Sequence, residues 1–111
     1  MNICSFSIRD KLLHYVLNFH HQEGQHKARV FKSALNIEKS NYHLLETELI
    51  LALEQSIDNN SLILLETTQY GQKYRLNFSM QHCDKYAPIC SIWMHRTDEP
   101  CVRLVTCYID I

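Results

Sequence analysis

The chain has 111 residues, a formal net charge of −1, 46% apolar residues and 21% charged ones. That length fits one domain spanning 1–111 and excludes two ordinary ones, and the composition excludes a disordered chain. No apolar run approaches the roughly 20 residues that cross a bilayer, so no membrane partner is expected, and the near-neutral charge argues against strong nonspecific nucleic-acid binding without excluding a local basic patch.

Residues Met1 to Ile8 carry neither a basic n-region nor an apolar h-region, so no secretion signal is expected. The five cysteines, Cys4, Cys83, Cys90, Cys101 and Cys107, are odd in number and show no paired spacing. Reduced thiols in a cytoplasmic protein are the simplest expectation.

The first predicted element is a short amphipathic helix over 9–17, with Leu12, Leu13, Val16 and Leu17 as its apolar stripe. A polar loop follows to Gly24, then a second helix over 25–35 whose stripe is Ala28, Phe31, Ala34 and Leu35. Asn36 to Asn41 reads as a connector, and Ser40 or Asn41 can cap a third helix running to about Ser56. Asp58-Asn59-Asn60 marks a turn. Beyond it the apolar period changes to two. Strands are expected over 62–70 and 72–79, joined at Gly71, the second with Tyr74, Leu76 and Phe78 on one face. A loop is expected over 80–88, followed by a hairpin of strands over 89–96 and 101–109. The predicted fold is α+β: three N-terminal helices packed on a four-stranded antiparallel sheet.

Lys27 is the position with most chemical content. On a helical wheel it falls among Ala34, Phe31 and Leu35, inside the apolar arc rather than opposite it. A lysine there must pair, titrate or snorkel past the core edge, because a buried unpaired ammonium is costly. The helix start adds a positive dipole end, which suits an anion such as phosphate. His26, Arg29, Lys32 and Ser33 fill the opposite arc, which reads either as a stripe tracking a phosphate backbone or as the solvated face of an amphipathic helix. His26 titrates in the right range for proton transfer if it has a partner.

On the strands, Thr68, Arg103 and Thr106 are the candidate polar residues. If pairing brings them under Lys27, hydroxyls and cations without a carboxylate cluster suit phosphate binding and stabilisation of transition-state charge; threonine is also simply a good strand former. Tyr70, Tyr74 and Trp93 are either base-stacking platforms or ordinary core. No zinc-type spacing is present, the nearest approach being His82-Cys83 with Cys90, and no cofactor motif occurs.

The blocks Gly24-Gln25-His26-Lys27-Ala28-Arg29-Val30-Phe31 with Ala34-Leu35, Thr68-Gln69-Tyr70-Gly71-Gln72-Lys73-Tyr74, Ile92-Trp93 and Arg103-Leu104-Val105-Thr106 resemble the pattern of a bacterial domain family. That family occurs as small stand-alone proteins and at the C-termini of large polymorphic toxins. Its members look like the barnase–EndoU–colicin–RelE (BECR) group of metal-independent ribonucleases, with N-terminal helices and an antiparallel sheet. The resemblance implies an endoribonuclease toxin needing no cofactor. It would have an RNA substrate, a cognate antitoxin protein as partner, and Lys27, Thr68, Arg103, Thr106 and His26 as catalytic candidates. Arg29, Tyr70 and Trp93 would then bind substrate. Asn36 departs from the glycine the family more usually has there. Two other readings stand beside this one: a non-catalytic protein-binding module (an inhibitor or immunity partner), suggested by the neutral charge and apolar strands, and a zinc or thiol enzyme.

Overall fold

The computed structural model describes residues 2–110. Strand β1 (Asn2–Ile3) leads into helix α1 (Ser5–Lys11), which continues as a π-helical turn, Leu12–Val16. Helices α2 (Gly24–Leu35) and α3 (Tyr42–Asn59) follow, then strands β2 (Ile63–Thr68), β3 (Gly71–His82), β4 (Lys85–Arg96) and β5 (Cys101–Ile109). The strands form one five-stranded sheet in the order β1-β5-β4-β3-β2. The protein is thus α+β with three helices, and its sheet is mixed: β1 runs parallel to β5, and every other pairing is antiparallel.

The expected alternation of β3 is observed. Leu76 is buried, and Tyr74 and Phe78 pack against the same core, together with Ile89, Trp93, Val102, Leu104 and Cys107 from β4 and β5. Onto this face the helices set Ile8, Leu12, Val16, Phe31, Leu35, Leu45, Leu49 and Leu53, all fully buried. Each such side chain contributes on the order of 1.5–3 kcal/mol of transfer free energy. The opposite face of β3 and β4 carries Lys73, Arg75 and Asn77 beside Cys90, Ile92 and Met94. The core-forming residues of the helices all join the first face.

Several expectations are corrected. The loop over 80–88 is strand: β3 and β4 run on to His82 and Lys85, joined by a two-residue turn in which Cys83 and Asp84 have φ of 52° and 59°. Two successive left-handed residues make the tight hairpin turn whose twist matches the strands. No glycine announced it in the sequence. The tip of this hairpin reaches the C-terminal end of α2. There Lys85 Nζ donates to the Ser33 carbonyl at 3.0 Å and His82 Nδ1 lies 2.8 Å from the Leu35 carbonyl oxygen. Both groups satisfy carbonyls that a helix end leaves without partners. Asn36 closes α2 with φ 55°, a conformation asparagine tolerates, so the turn forms without glycine.

The first helix starts at Ser5 rather than Arg9. Ser7 is buried there, its hydroxyl donating to the Cys4 carbonyl at 2.6 Å and accepting from the Leu104 amide at 3.1 Å. Beyond Lys11 the helix widens, and the Leu17 amide bonds the Leu12 carbonyl at 2.9 Å. That five-residue reach sets the stripe of Leu12, Val16 and Leu17 against the core.

The edge of β5 is also not free along its whole length, because it pairs with β1, which was not foreseen. Its register places Asn2 opposite Cys101 and Ile3 opposite Val102. Cys4 and Cys101 come to a Cα separation of 5.2 Å and form a disulfide across 97 residues. The expectation of five reduced thiols therefore fails for this pair; a link between chain positions so far apart leaves no local spacing to read. Cys83, exposed, and Cys90 and Cys107, buried, are free. Among the described residues no helix is long and apolar enough to cross a membrane.

Candidate functional site

The π turn fixes the centre of the site. It presents Tyr15 beside the N-terminal turn of α2, where the Lys27 ammonium donates to the Tyr15 hydroxyl at 2.5 Å and lies 4.4 Å from the ring centroid. The sequence placed Lys27 in an apolar arc, and the structure shows how that is tolerated: the amine is half-buried and paired to a phenol rather than a carboxylate. A phenol partner leaves the positive charge uncancelled. The same charge is felt by the Cys107 thiol, although burial dominates there and pushes that thiol up to about 12.

Approach of the two elements is very close. A Cβ built at Gly24 would lie 2.0 Å from the Tyr15 carbonyl oxygen, so only glycine lets α2 start there. His21 completes this corner. Its Nδ1 accepts from the Glu23 and Gly24 amides, each at 3.0 Å, satisfying donors near the start of α2. Acceptance at Nδ1 leaves the ring's proton on Nε2. The His21 ring stands edge-on to Tyr15 with centroids 4.7 Å apart.

Tyr15 and His21 border a cleft of about 500 Å³ that is also lined by Lys11, His14, Val105 and Thr106 and by two acidic residues, Asp10 and Glu23. It exists because β1 covers only Cys101 and Val102 and Ser7 takes the Leu104 amide, so the edge of β5 from Val105 on is left to the π turn. There β5 also bulges: Ile92 pairs with Thr106 and Trp93 with Leu104, leaving Val105 without an opposite residue. Bulges re-aim side chains at such edges. The Thr106 hydroxyl oxygen is buried and has no hydrogen-bond partner. An unpaired buried hydroxyl costs free energy, and nothing in the fold requires it to be there.

The predicted residues are thus divided. Thr106 lines the Tyr15 cleft, whereas Lys27 is linked to it only through the Tyr15 hydroxyl, its own side chain lining a separate groove with His26, Val30, Tyr108 and Ile109. His26 is exposed beside Lys27, in a shallow groove shared with Val30 and Tyr108. Arg29 is exposed on the same helix, with its guanidinium 3.4 Å from the Gln25 amide oxygen.

The other predicted residues lie elsewhere. Thr68 is at the start of the β2–β3 turn, where its hydroxyl accepts from the Tyr70 amide at 3.1 Å. It lies three strand spacings from β5, about 14 Å across, and toward the end of the sheet opposite Lys27. A pocket of Lys27, Thr68 and Thr106 is therefore corrected. Arg103 is taken up by Glu99 in a bidentate pair at 2.9 and 2.5 Å, with the ring of Phe6 5.6 Å away. Its hydrogen bond, strengthened by charge, holds the Glu99 carboxyl below its ordinary value.

Tyr70 is exposed in the turn beside Lys73 and Arg96, away from the cleft. Trp93 cannot stack a base: it is fully buried, its indole N–H donating to the Ser91 hydroxyl at 2.9 Å and Ser91 in turn to the Leu76 carbonyl. Nor does the sheet register gather His82, Cys83 and Cys90. Cys90 lies opposite Asn77, five residues along β3 from His82, whose ring faces α2. Among the described residues the three-ligand grouping is Cys4, Glu99 and Cys101, of which two are disulfide-bonded and the third is paired to Arg103.

Sequence reasoning missed Tyr15, His14 and His21. One signal was available for Tyr15, a polar-tipped residue between the core residues Leu12 and Val16. Another was available for His21, three residues before a glycine that opens a helix.

No curated protein and no solved structure matches this chain. The model of a family described as a domain of unknown function, DUF6883, matches residues 5–110, nearly its full length. The chain belongs to that family.

Proposed function

We propose that this protein is a metal-independent endoribonuclease of BECR-like fold, the toxin of a bacterial toxin–antitoxin or polymorphic toxin system. The single observation that carries the reading is the cleft in which Tyr15, bonded to the Lys27 ammonium, stands with an orphaned hydroxyl, Thr106, two imidazoles, His14 and His21, and the acidic Asp10 and Glu23.

In this reading the ribose 2′-oxygen attacks the adjacent phosphorus and the bond to the 5′-oxygen breaks, giving a 2′,3′-cyclic phosphate and a free 5′-hydroxyl. Lys27 stabilises the charge gathering on the phosphoryl oxygens. The proton leaving the 2′-hydroxyl passes to exposed His14, which then gives it to the departing 5′-oxygen, while the neutral His21 donates an Nε2–H hydrogen bond to a phosphoryl oxygen. His26 and Arg29 flank the path of the strand. Growth arrest on expression and cleavage of RNA in EDTA test the reading, with Lys27→Ala expected to lose about a hundredfold or more of cleavage. Equal harmlessness of wild type and variant to cells and RNA would sink it.

A second reading, a non-catalytic protein-binding module, is supported by β2. This edge strand is exposed along its full length and carries Ile63, Leu64 and Leu65 in the open. Such an edge accepts a strand from another protein, and in the first reading it is where a cognate antitoxin would pair. A stable complex that survives Lys27→Ala, in a protein that leaves RNA intact, would favour this alternative.

A further inference from the structure

Two buried side-chain nitrogen or oxygen atoms lack a partner among the described residues, Arg75 Nε and Thr106 Oγ1. They are not scattered. Arg75 on β3 pairs with Ile92 on β4, and Ile92 pairs with Thr106 on β5, so both orphans belong to one row running across three strands. Core-facing Leu76 and Cys107 follow them directly in sequence, which turns Arg75 and Thr106 to the other face of the sheet, the one the helices' buried residues leave uncovered.

Arg75 differs from three other half-buried cations. Lys73 has Glu66 at 3.3 Å, Arg103 has Glu99, and Lys27 has Tyr15. Arg75 makes no ion pair among the described residues and is half-buried with its Nε–H unanswered. A guanidinium presents its donors in a fixed planar fork suited to two oxygens of one anion. Thr106, two strands away, lies within the roughly 10 Å that separates alternate strands, a span an arginine side chain covers in large part. The charge of Arg75 is also registered by its neighbour Tyr108. The Cys90 thiol beside that hydroxyl raises its titration and Arg75 opposes the rise.

We propose that Arg75 and the Thr106 hydroxyl, on either side of Ile92, form an oxyanion site on the open face of the sheet, and that it holds a phosphodiester of an RNA strand next to the one in the cleft. Thr106 belongs to both places, since it also borders the Tyr15 cleft. The oxyanion site stands on its own geometry; only the assignment of its phosphate to RNA rests on the nuclease reading. It adds a strand-positioning contact one nucleotide from the reacting phosphate, made by a residue that touches no reacting atom.

The test is titration of inorganic phosphate into the ¹⁵N-labelled protein, reading the arginine Nε–Hε resonances. One resonance is expected to move, and to be missing from Arg75→Lys, which keeps the charge but has no Nε–H fork; a thermal melt checks that this variant folds. Phosphate affinity should fall about tenfold or more in Arg75→Gln, and severalfold in Thr106→Val, as charge-assisted hydrogen bonds are lost. No moving resonance, or one that persists in Arg75→Lys, overturns the site.

A 2′-O-methyl oligoribonucleotide, which cannot be cut, should displace phosphate in wild type and bind about tenfold more weakly to Arg75→Gln. Phosphate binding without competition by the oligonucleotide overturns the assignment to RNA. If both arms succeed while natural RNA is left uncut, this site stands and the nuclease reading falls.

Discussion

Replacing Thr106 by valine separates a functional hydroxyl from a structural one. Valine has nearly the same shape and is at home in a strand, so the cross-strand place beside Ile92 is kept. The only group removed is an oxygen that is buried and unpaired. A buried hydroxyl without a partner costs on the order of 1–3 kcal/mol, so the substitution should return part of that, about 1 kcal/mol. For a domain of 111 residues, 1 kcal/mol corresponds to roughly 4 °C in the unfolding midpoint. The expected outcome is a midpoint unchanged or raised by up to about 4 °C, together with RNA cleavage lowered by about tenfold or more. Thermal unfolding by circular dichroism and a fluorogenic RNA cleavage assay read the two quantities on one sample. A midpoint lowered by several degrees would show that the hydroxyl has a structural partner and would refute the argument that the fold tolerates its cost for a ligand.

Three further predictions concern the frame around the cleft. Gly24→Ala drives a methyl into the Tyr15 carbonyl and forces α2 and the π turn apart; overpacking of this kind should cost about 1–3 kcal/mol or more and lower the midpoint by roughly 4–12 °C, and an unchanged melt would contradict the close approach. Reducing the Cys4–Cys101 link releases a loop of 97 residues, for which chain entropy sets an upper figure of about 4–5 kcal/mol. The melt with and without reductant should differ by many degrees, and Cys4→Ser should behave like the reduced protein in both; a melt indifferent to reductant would remove the bond. Glu99 titrates below its ordinary value of 4.5 because of Arg103, so its folded form holds the proton less well than its unfolded form. The stability it contributes is fully present above pH 4.5, and is lost as the pH falls through the lowered folded value. Glu99→Gln should therefore flatten the acid side of the stability curve below pH 4.5, and identical acid slopes in the two proteins would count against the pair.

What could be read from the sequence follows from how local each signal is. The helical stripe of Ala28, Phe31 and Leu35 and the alternation of Tyr74, Leu76 and Phe78 are periodic patterns within one element, and both stripes face the core. Lys27 stood out because it broke such a pattern. The Cys83-Asp84 turn was missed because its left-handed conformation is carried by residues that do not advertise it. β1, two residues long, has no period to detect, and with it went the disulfide and the mixed sheet. Strand order was not available either, and it is strand order that sends Thr68 to the far edge while bringing Arg75 into line with Thr106. Trp93 reads as a base platform only until register turns it inward onto Ser91.

The bond between Cys4 and Cys101 makes almost the entire polypeptide a covalent ring, with Tyr15, His21, Lys27 and Arg75 all inside it. A protease that nicked the segment between the π turn and α2 would therefore open the circle without shedding a piece. Both halves of the cleft would stay tethered through the sulfurs, free to re-dock.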